Sequence, residues 1–151
     1  MQLNVNNSPI LLVEDSEDDV FLMKRALKDA GITNSLFIVE DGQEAMDYLD
    51  GSGKYGDRTD YPLPALIFLD LKLPLKSGHD VLSWTRGQKP FETIIIVVLT
   101  SSDEPSDIKK SYELGANSYV VKPPTVDQLL GLAKAFKLYW LGYNRFDLAP
   151  R

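Results

Sequence analysis

The chain has 151 residues, with 16 basic against 22 acidic side chains, a net charge of −6, and 44% apolar and 25% charged residues. These are the values of one globular domain, and they exclude disordered and fibrous classes. The acidic balance argues against direct nucleic-acid binding or contact with an anionic membrane face.

No window approaches the run of about 20 apolar residues that a membrane span needs. The start, Met1 to Pro9, is polar and uncharged and lacks a basic-then-apolar signal. A cytoplasmic location is expected. The absence of cysteine rules out a disulfide framework, thiolate zinc and a cysteine nucleophile. His79 is the sole histidine, so no imidazole cluster exists, and its place after Gly78 reads as a helix start.

Five short apolar runs follow in order: Ile10–Val13, Leu36–Val39, Ala65–Leu69, Ile94–Leu99 and Tyr119–Val121. They do not alternate with polar residues, which suits strands covered on both faces of a parallel sheet. Between them lie segments of helical period; Val20, Met23, Leu27 and Ala30 can share the inner face of the first. Ser16 with Asp19, Asp41 with Glu44, and Thr125 with Gln128 predict helix N-caps. Gly31, Gly51, Gly87 and Gly115 stand where helices would close. The expected fold is α/β: a doubly wound five-stranded parallel sheet with helices on both faces. The loop from Gly51 to Pro64 is expected to run over the surface. The segment 142–151 after the last helix is too short for a helix-turn-helix, so residues 1–151 read as one domain, with a core over 8–141 and a short tail.

Ligands of open parallel sheets bind beyond the carboxyl ends of the strands. The polar residues there are Glu14 and Asp15 after the first run, Asp70 after the third, Thr100 after the fourth, and Lys122-Pro123 after the fifth. Glu40 and Asp41 after the second are explained by the cap. Three carboxylates brought together repel, by about 4 kcal/mol per pair at 4 Å and an effective dielectric near 20. A proton or a cation must therefore share the site. Oxygen ligands without sulfur or imidazole suit Mg²⁺. A carboxylate beside Mg²⁺ and an ammonium is arranged for phosphoryl transfer, with Thr100 as a hydrogen-bond donor. Glu17, Asp18 and Asp19 read more simply as first-turn acids favoured by the helix dipole. The acidic stretch does not fit a calcium loop, because its central glycine is missing.

In this arrangement the chain resembles the receiver domains of two-component response regulators, over nearly its whole length. The resemblance rests on Glu14-Asp15, on Asp70 with Pro74 four and Gly78 eight residues on, on Thr100, on Tyr119 three residues before Lys122, and on Lys122-Pro123. Leu73 stands where a methionine is frequent in the family. The resemblance implies a flavodoxin-like strand order of 2-1-3-4-5 and phosphorylation of Asp70 by a sensor histidine kinase. It implies Mg²⁺ held by Asp15, Asp70 and the Lys72 backbone carbonyl, with Glu14 acting through water. Lys122 would pair with the phosphoryl group and a cis Lys122–Pro123 bond is expected. Thr100 and Tyr119 would form a switch read out at the fourth and fifth helices. Such a protein is a signalling phosphoacceptor that catalyses only its own phosphorylation and dephosphorylation. The long loop and the aromatic Tyr139-Trp140-Leu141 tail resemble small single-domain regulators paired with phytochrome-type kinases.

Three other readings compete. A haloacid-dehalogenase phosphatase would need an acid at position 72, where this chain has Lys72. A flavodoxin-like flavin carrier would place five acids of the Glu14–Asp19 stretch against the flavin phosphate. A non-catalytic adaptor would be expected to lack one of the motif residues.

The fifth helix carries two apolar stripes. Val126, Leu129, Ala133 and Trp140 are expected to face the sheet, and Leu132, Phe136, Tyr139 and Tyr143 to form a second stripe. An exposed second stripe predicts a homodimer; a tail folded back after Leu141 would cover it instead.

Overall fold

The structure is a computed structural model and describes residues 8–147. Five strands, β1 (Ile10–Val13), β2 (Leu36–Val39), β3 (Leu66–Leu69), β4 (Ile95–Thr100) and β5 (Ser118–Val121), pair in parallel in the order β2-β1-β3-β4-β5. They alternate with α1 (Glu17–Asp29), α2 (Gly42–Asp50), α3 (Gly78–Gly87), α4 (Pro105–Glu113) and α5 (Val126–Phe136). The expected doubly wound topology is present.

Successive strand side chains point to opposite faces, and both faces are covered. Leu11, Val13, Ile67, Leu69 and Ile96 join the inner faces of α2 and α3 in one core, which also takes in Phe91. Ile10, Leu12, Leu66, Phe68, Val97 and Leu99 join α1 and α5 in the other, with Met23, Leu27, Ala133 and Phe136. This double burial is why the strand runs contain almost no polar residue. Each buried Leu, Ile or Phe side chain stabilises the fold by about 1.5–3 kcal/mol.

The caps form as expected. Ser16 accepts from the Asp19 amide, Asp41 from Glu44 and Thr125 from Gln128. A reciprocal capping box at Ser77 and Asp80, in which each side chain accepts from the other's amide, starts α3. Gly51 closes α2 in the left-handed conformation, at φ 75°. Gly87, by contrast, lies inside the last turn of α3 without positive φ, because Gln88 in extended conformation ends that helix.

The 51–64 loop does more than cross the surface. Tyr55 is buried and its ring lies 5.0 Å from Tyr48 and 4.9 Å from Tyr61. Arg58 donates to the carbonyls of Tyr48 and Leu49 at 2.7 and 2.6 Å, capping the end of α2. Tyr48 donates to the Pro62 carbonyl at 2.8 Å.

The stripes on the last helix need correction. Phe136 faces the core, 4.8 Å from the ring of Phe68, and Leu132 packs there too, whereas Val126 is exposed. The reason lies in the regular helix itself: Leu129, Leu132, Ala133 and Phe136, spaced at i, i+3, i+4 and i+7, form one stripe against the second core. Beyond Phe136 the helix continues as a wider π turn, Lys137–Tyr143. Leu141 is buried while Leu138, Tyr139 and Tyr143 are exposed. The chain then turns back, with the Asn144 amide donating to Tyr139 and Phe146 packed against the second core. Among the described residues no helix is long and apolar enough to cross a membrane.

Candidate functional site

Parallel pairing brings the carboxyl ends of all five strands to one edge. The ladder continues one residue beyond the strands, which fixes the site residues by their own backbone. The Glu14 amide donates to Val39, the Asp70 amide to Val13 and the Lys122 amide to Thr100. Asp70 is further held from behind by Gly78, whose amide donates to the Leu71 carbonyl at 2.9 Å.

Lys122 stands at the centre. Its ammonium donates to Glu14 Oε2 at 2.9 Å, Asp19 Oδ2 at 2.8 Å and Asp70 Oδ2 at 3.0 Å. All three protons of the ammonium are thereby used. Glu14 and Asp70 are buried, and the Lys122 side chain is only 19% exposed. Asp15 is exposed at the rim. Oxygens of Glu14, Asp15 and Asp70 lie within 4.8 Å of one another.

The electrostatics follow from this crowding. Burial, together with the neighbouring Asp70, pushes the Glu14 carboxyl up to about 7. Burial would also raise Asp70, but its interactions with Glu14 and Lys122 hold its carboxyl below the usual range. Of the two, Glu14 takes up a proton first as the pH falls. Burial alone would lower Lys122, but the hydrogen bonds to Asp19, Glu14 and Asp70 outweigh it and raise the ammonium well above its ordinary value.

Three carboxyl groups on one ammonium, with Asp15 beside them, leave the site negative even with Glu14 protonated. The donor set consists of hard oxygens close enough to share one ion, which fits a divalent cation such as Mg²⁺ or Mn²⁺. The Thr100 hydroxyl is fully buried and makes no hydrogen bond of 3.5 Å or less. An unused donor at a strand end fits an oxyanion arriving at Asp70.

The loop after Asp70 carries backbone strain. The Lys76 amide donates to the Pro74 carbonyl across Leu75, which has φ 66°. This is a γ-turn with a non-glycine residue at its centre, a conformation costing about 1–3 kcal/mol. The Gly42 amide also donates to Pro74 and holds the turn against α2. Leu73 packs its side chain on the first core. The Lys72 amide reaches Asp70 Oδ1 at 3.4 Å.

Of the residues singled out in the sequence, Glu14, Asp15, Asp70 and Lys122 come together, with Thr100 on the adjoining strand end. Tyr119 lies apart from them, and its hydroxyl donates to the Ser102 carbonyl at 2.9 Å. The expected cis bond before Pro123 is absent: every peptide bond among the described residues is trans. With the trans bond Lys122 already reaches three carboxylates, so the site geometry does not demand the costlier isomer. Asp19 was missed. It reads as a helix-dipole acid, and only the fold brings it against a lysine 103 residues away.

A doubly wound parallel sheet with an acidic, lysine-countered centre at its carboxyl edge is the class that fold and site define. Within that class, residues 10–134 match the response regulator receiver domain, and the chain belongs to that family. It is 39% identical over 132 residues to the response regulator Rcp1 of Synechocystis sp., covering 87% of this chain and 88% of Rcp1. It is 37% identical over 139 residues to the "Probable methanogenesis regulatory protein FilR2" of Methanothrix harundinacea, covering 90% and 85% of the two chains. The crystal structure of the phosphorylated cyanobacterial phytochrome response regulator RcpA superposes with a TM-score of 0.87 at 35% identity, over 93% of this chain and 99% of RcpA. A Mn²⁺-bound structure of Rcp1 superposes with a TM-score of 0.83 at 37% identity, over 92% and 98%. Receiver domains bind a divalent metal at an acidic site, and receiver proteins act in two-component signalling.

Proposed function

We propose that this protein is a stand-alone response regulator that takes a phosphoryl group onto Asp70 from a sensor histidine kinase of the phytochrome type. The observation that carries this reading is the Lys122 ammonium within 3.0 Å of Asp70 and within 2.9 Å of Glu14, beside an acidic cluster that fits a divalent ion. Likeness to the phytochrome response regulator RcpA and coverage of 88% of Rcp1 support the partner class and the single-domain organisation.

In this reading an Asp70 oxygen attacks phosphorus as the phosphorus–nitrogen bond of a phosphohistidine breaks, and the departing imidazole keeps the bonding electrons. Asp15, Asp70 and the Lys72 carbonyl would hold Mg²⁺, and Glu14 would support it from beside them. The bound ion supplies positive charge to the phosphoryl oxygens. Lys122 remains protonated and donates to one of those oxygens. Thr100 donates its free hydroxyl to another, and Tyr119 leaves Ser102 to fill the space that Thr100 vacates. This two-state change is read at α4, β5 and α5. The protein catalyses only its own phosphorylation and dephosphorylation, works in the cytoplasm and signals as a homodimer through the α5 end.

Acetyl phosphate with Mg²⁺ should add one phosphoryl group by intact mass, labile to hydroxylamine, and Asp70→Asn should abolish it. Label that persists in Asp70→Asn refutes the assignment. Turnover of an exogenous phosphomonoester would point to a phosphatase instead.

A further inference from the structure

Lys122 stands on three legs, and one of them has no part in the phosphoacceptor scheme. Asp19 Oδ2 accepts from the ammonium at 2.8 Å, the shortest of its three contacts, yet the Asp19 side chain is 42% exposed and comes from the first turn of α1. The Asp19 amide already serves the cap by donating to Ser16 Oγ, so its carboxylate is not needed there. From the geometry we infer that Asp19 is a positioning residue for phosphoryl transfer. It anchors the Lys122 ammonium so that this group can move one hydrogen bond from Asp70 to an incoming phosphoryl oxygen without leaving the site.

An ammonium has three N–H groups, and all three are engaged. Once an Asp70 oxygen is bonded to phosphorus, its carboxylate charge is lost and it becomes the weakest of the three acceptors. The bond it gives up is the one available to the phosphoryl group. Glu14 and Asp19 keep the other two and hold Nζ from two separate elements, the buried end of β1 and the first turn of α1. With Asp19 removed, a flexible four-carbon stem would be tethered by Glu14 alone, a group that also faces the metal. Lys122 would then spend more time turned toward solvent when the donor arrives.

This inference rests on the phosphoacceptor reading, and its test separates the two. The ¹⁵N–¹H signal of the Lys122 ammonium, recorded with no phosphodonor present, should be protected in the wild-type protein. In Asp19→Asn its proton exchange should accelerate by about tenfold, because one charge-assisted hydrogen bond becomes a neutral one. Asp19→Asn should also slow phosphorylation by saturating acetyl phosphate and Mg²⁺ by about three- to tenfold, the scale of a partly exposed ion pair, with Mg²⁺ affinity unchanged. In a Lys122→Ala background the same substitution should change the rate less than twofold. A wild-type rate in Asp19→Asn, or an equal loss in both backgrounds, overturns the role of Asp19. Labelling that survives Asp70→Asn overturns the phosphoacceptor reading, while the ammonium measurement still reports on the Asp19–Lys122 contact.

Discussion

Gly78 presses its α-carbon so closely against the backbone of Asp70 that a Cβ there would lie 2.2 Å from the Asp70 carbonyl oxygen and 2.6 Å from the Leu71 α-carbon. The glycine eight residues after the acid is therefore a matter of space, since its φ lies outside the left-handed region. Its absent side chain lets the start of α3 buttress the loop that carries Asp70. Gly78→Ala should push that loop outward and destabilise the protein by about 1–3 kcal/mol, the usual cost of overpacking. Urea unfolding checks the stability. Phosphorylation by acetyl phosphate should fall more steeply than stability does, because the displaced group is Asp70 itself.

Asp15 contributes an exposed carboxylate to the acidic cluster and makes no contact with Lys122. Its charge is thus free for a cation. Asp15→Asn should weaken Mg²⁺ binding by at least about tenfold, since even groups that merely orient a ligand cost that much when removed. Calorimetric titration with Mg²⁺ measures it, and an unchanged affinity would remove Asp15 from the metal site. Folding stability without metal should stay level or rise, because one repelling charge is gone.

The Glu14 carboxyl, raised to about 7 by burial and by Asp70, makes metal binding depend on pH. Below that value Glu14 carries a proton that an incoming Mg²⁺ must displace or bypass. Mg²⁺ affinity should rise with pH up to about 7 and level off above it. Calorimetry at pH 6.5 in buffers of different ionisation enthalpy should show a proton released on binding. The metal-free protein should respond in the opposite sense. A raised carboxyl means the folded state binds more protons than the unfolded one between about 4.5 and 7, so the Glu14 contribution to stability declines as pH rises through that window. Asp70 is lowered, so its contribution is held above its ordinary range and lost on acidification.

The strands and caps were legible in the sequence because their causes are local. An apolar run such as Ile94–Leu99 has few alternatives to a doubly covered strand, and Ser16, Asp41 and Thr125 each cap within three residues. The meeting of Glu14, Asp15, Asp70 and Lys122 was also legible, since parallel strands must end at one edge. Asp19 was not, because its partner comes from the far strand and nothing local separates it from Glu17 and Asp18. Phe136 was misplaced for a different reason. Leu129, Leu132, Ala133 and Phe136 share one helical stripe, but an all-round apolar helix let them be divided between two faces. The packing of Tyr48, Tyr55 and Tyr61 likewise depends on Arg58 folding the loop back over α2.

The burial of Phe136 also decides which residues can make the proposed dimer. Phe136 is enclosed against Phe68, so Phe136→Ala should cost about 3–5 kcal/mol of folding stability and reports on the core. In the continuation after Phe136, the apolar side chains left in solvent are Leu138, Tyr139 and Tyr143, at 62%, 55% and 73% exposure. The returning tail covers other ground: Phe146 packs on the second core, and these three stay open. Three large apolar groups clustered on one turn are an interaction surface more readily than a solvated face, and a second copy offers the same surface by two-fold symmetry. Tyr119 lies on β5 next to α4, so a movement of its ring away from Ser102 would alter that face. In sedimentation equilibrium the double variant Leu138→Asp/Tyr139→Asp should therefore shift toward monomer, with its unfolding midpoint close to that of the wild type. Phosphorylated wild-type protein should shift toward dimer. If unmodified and phosphorylated proteins both sediment as monomers at high micromolar concentration, this turn does not join two copies, and its apolar side chains serve a different protein.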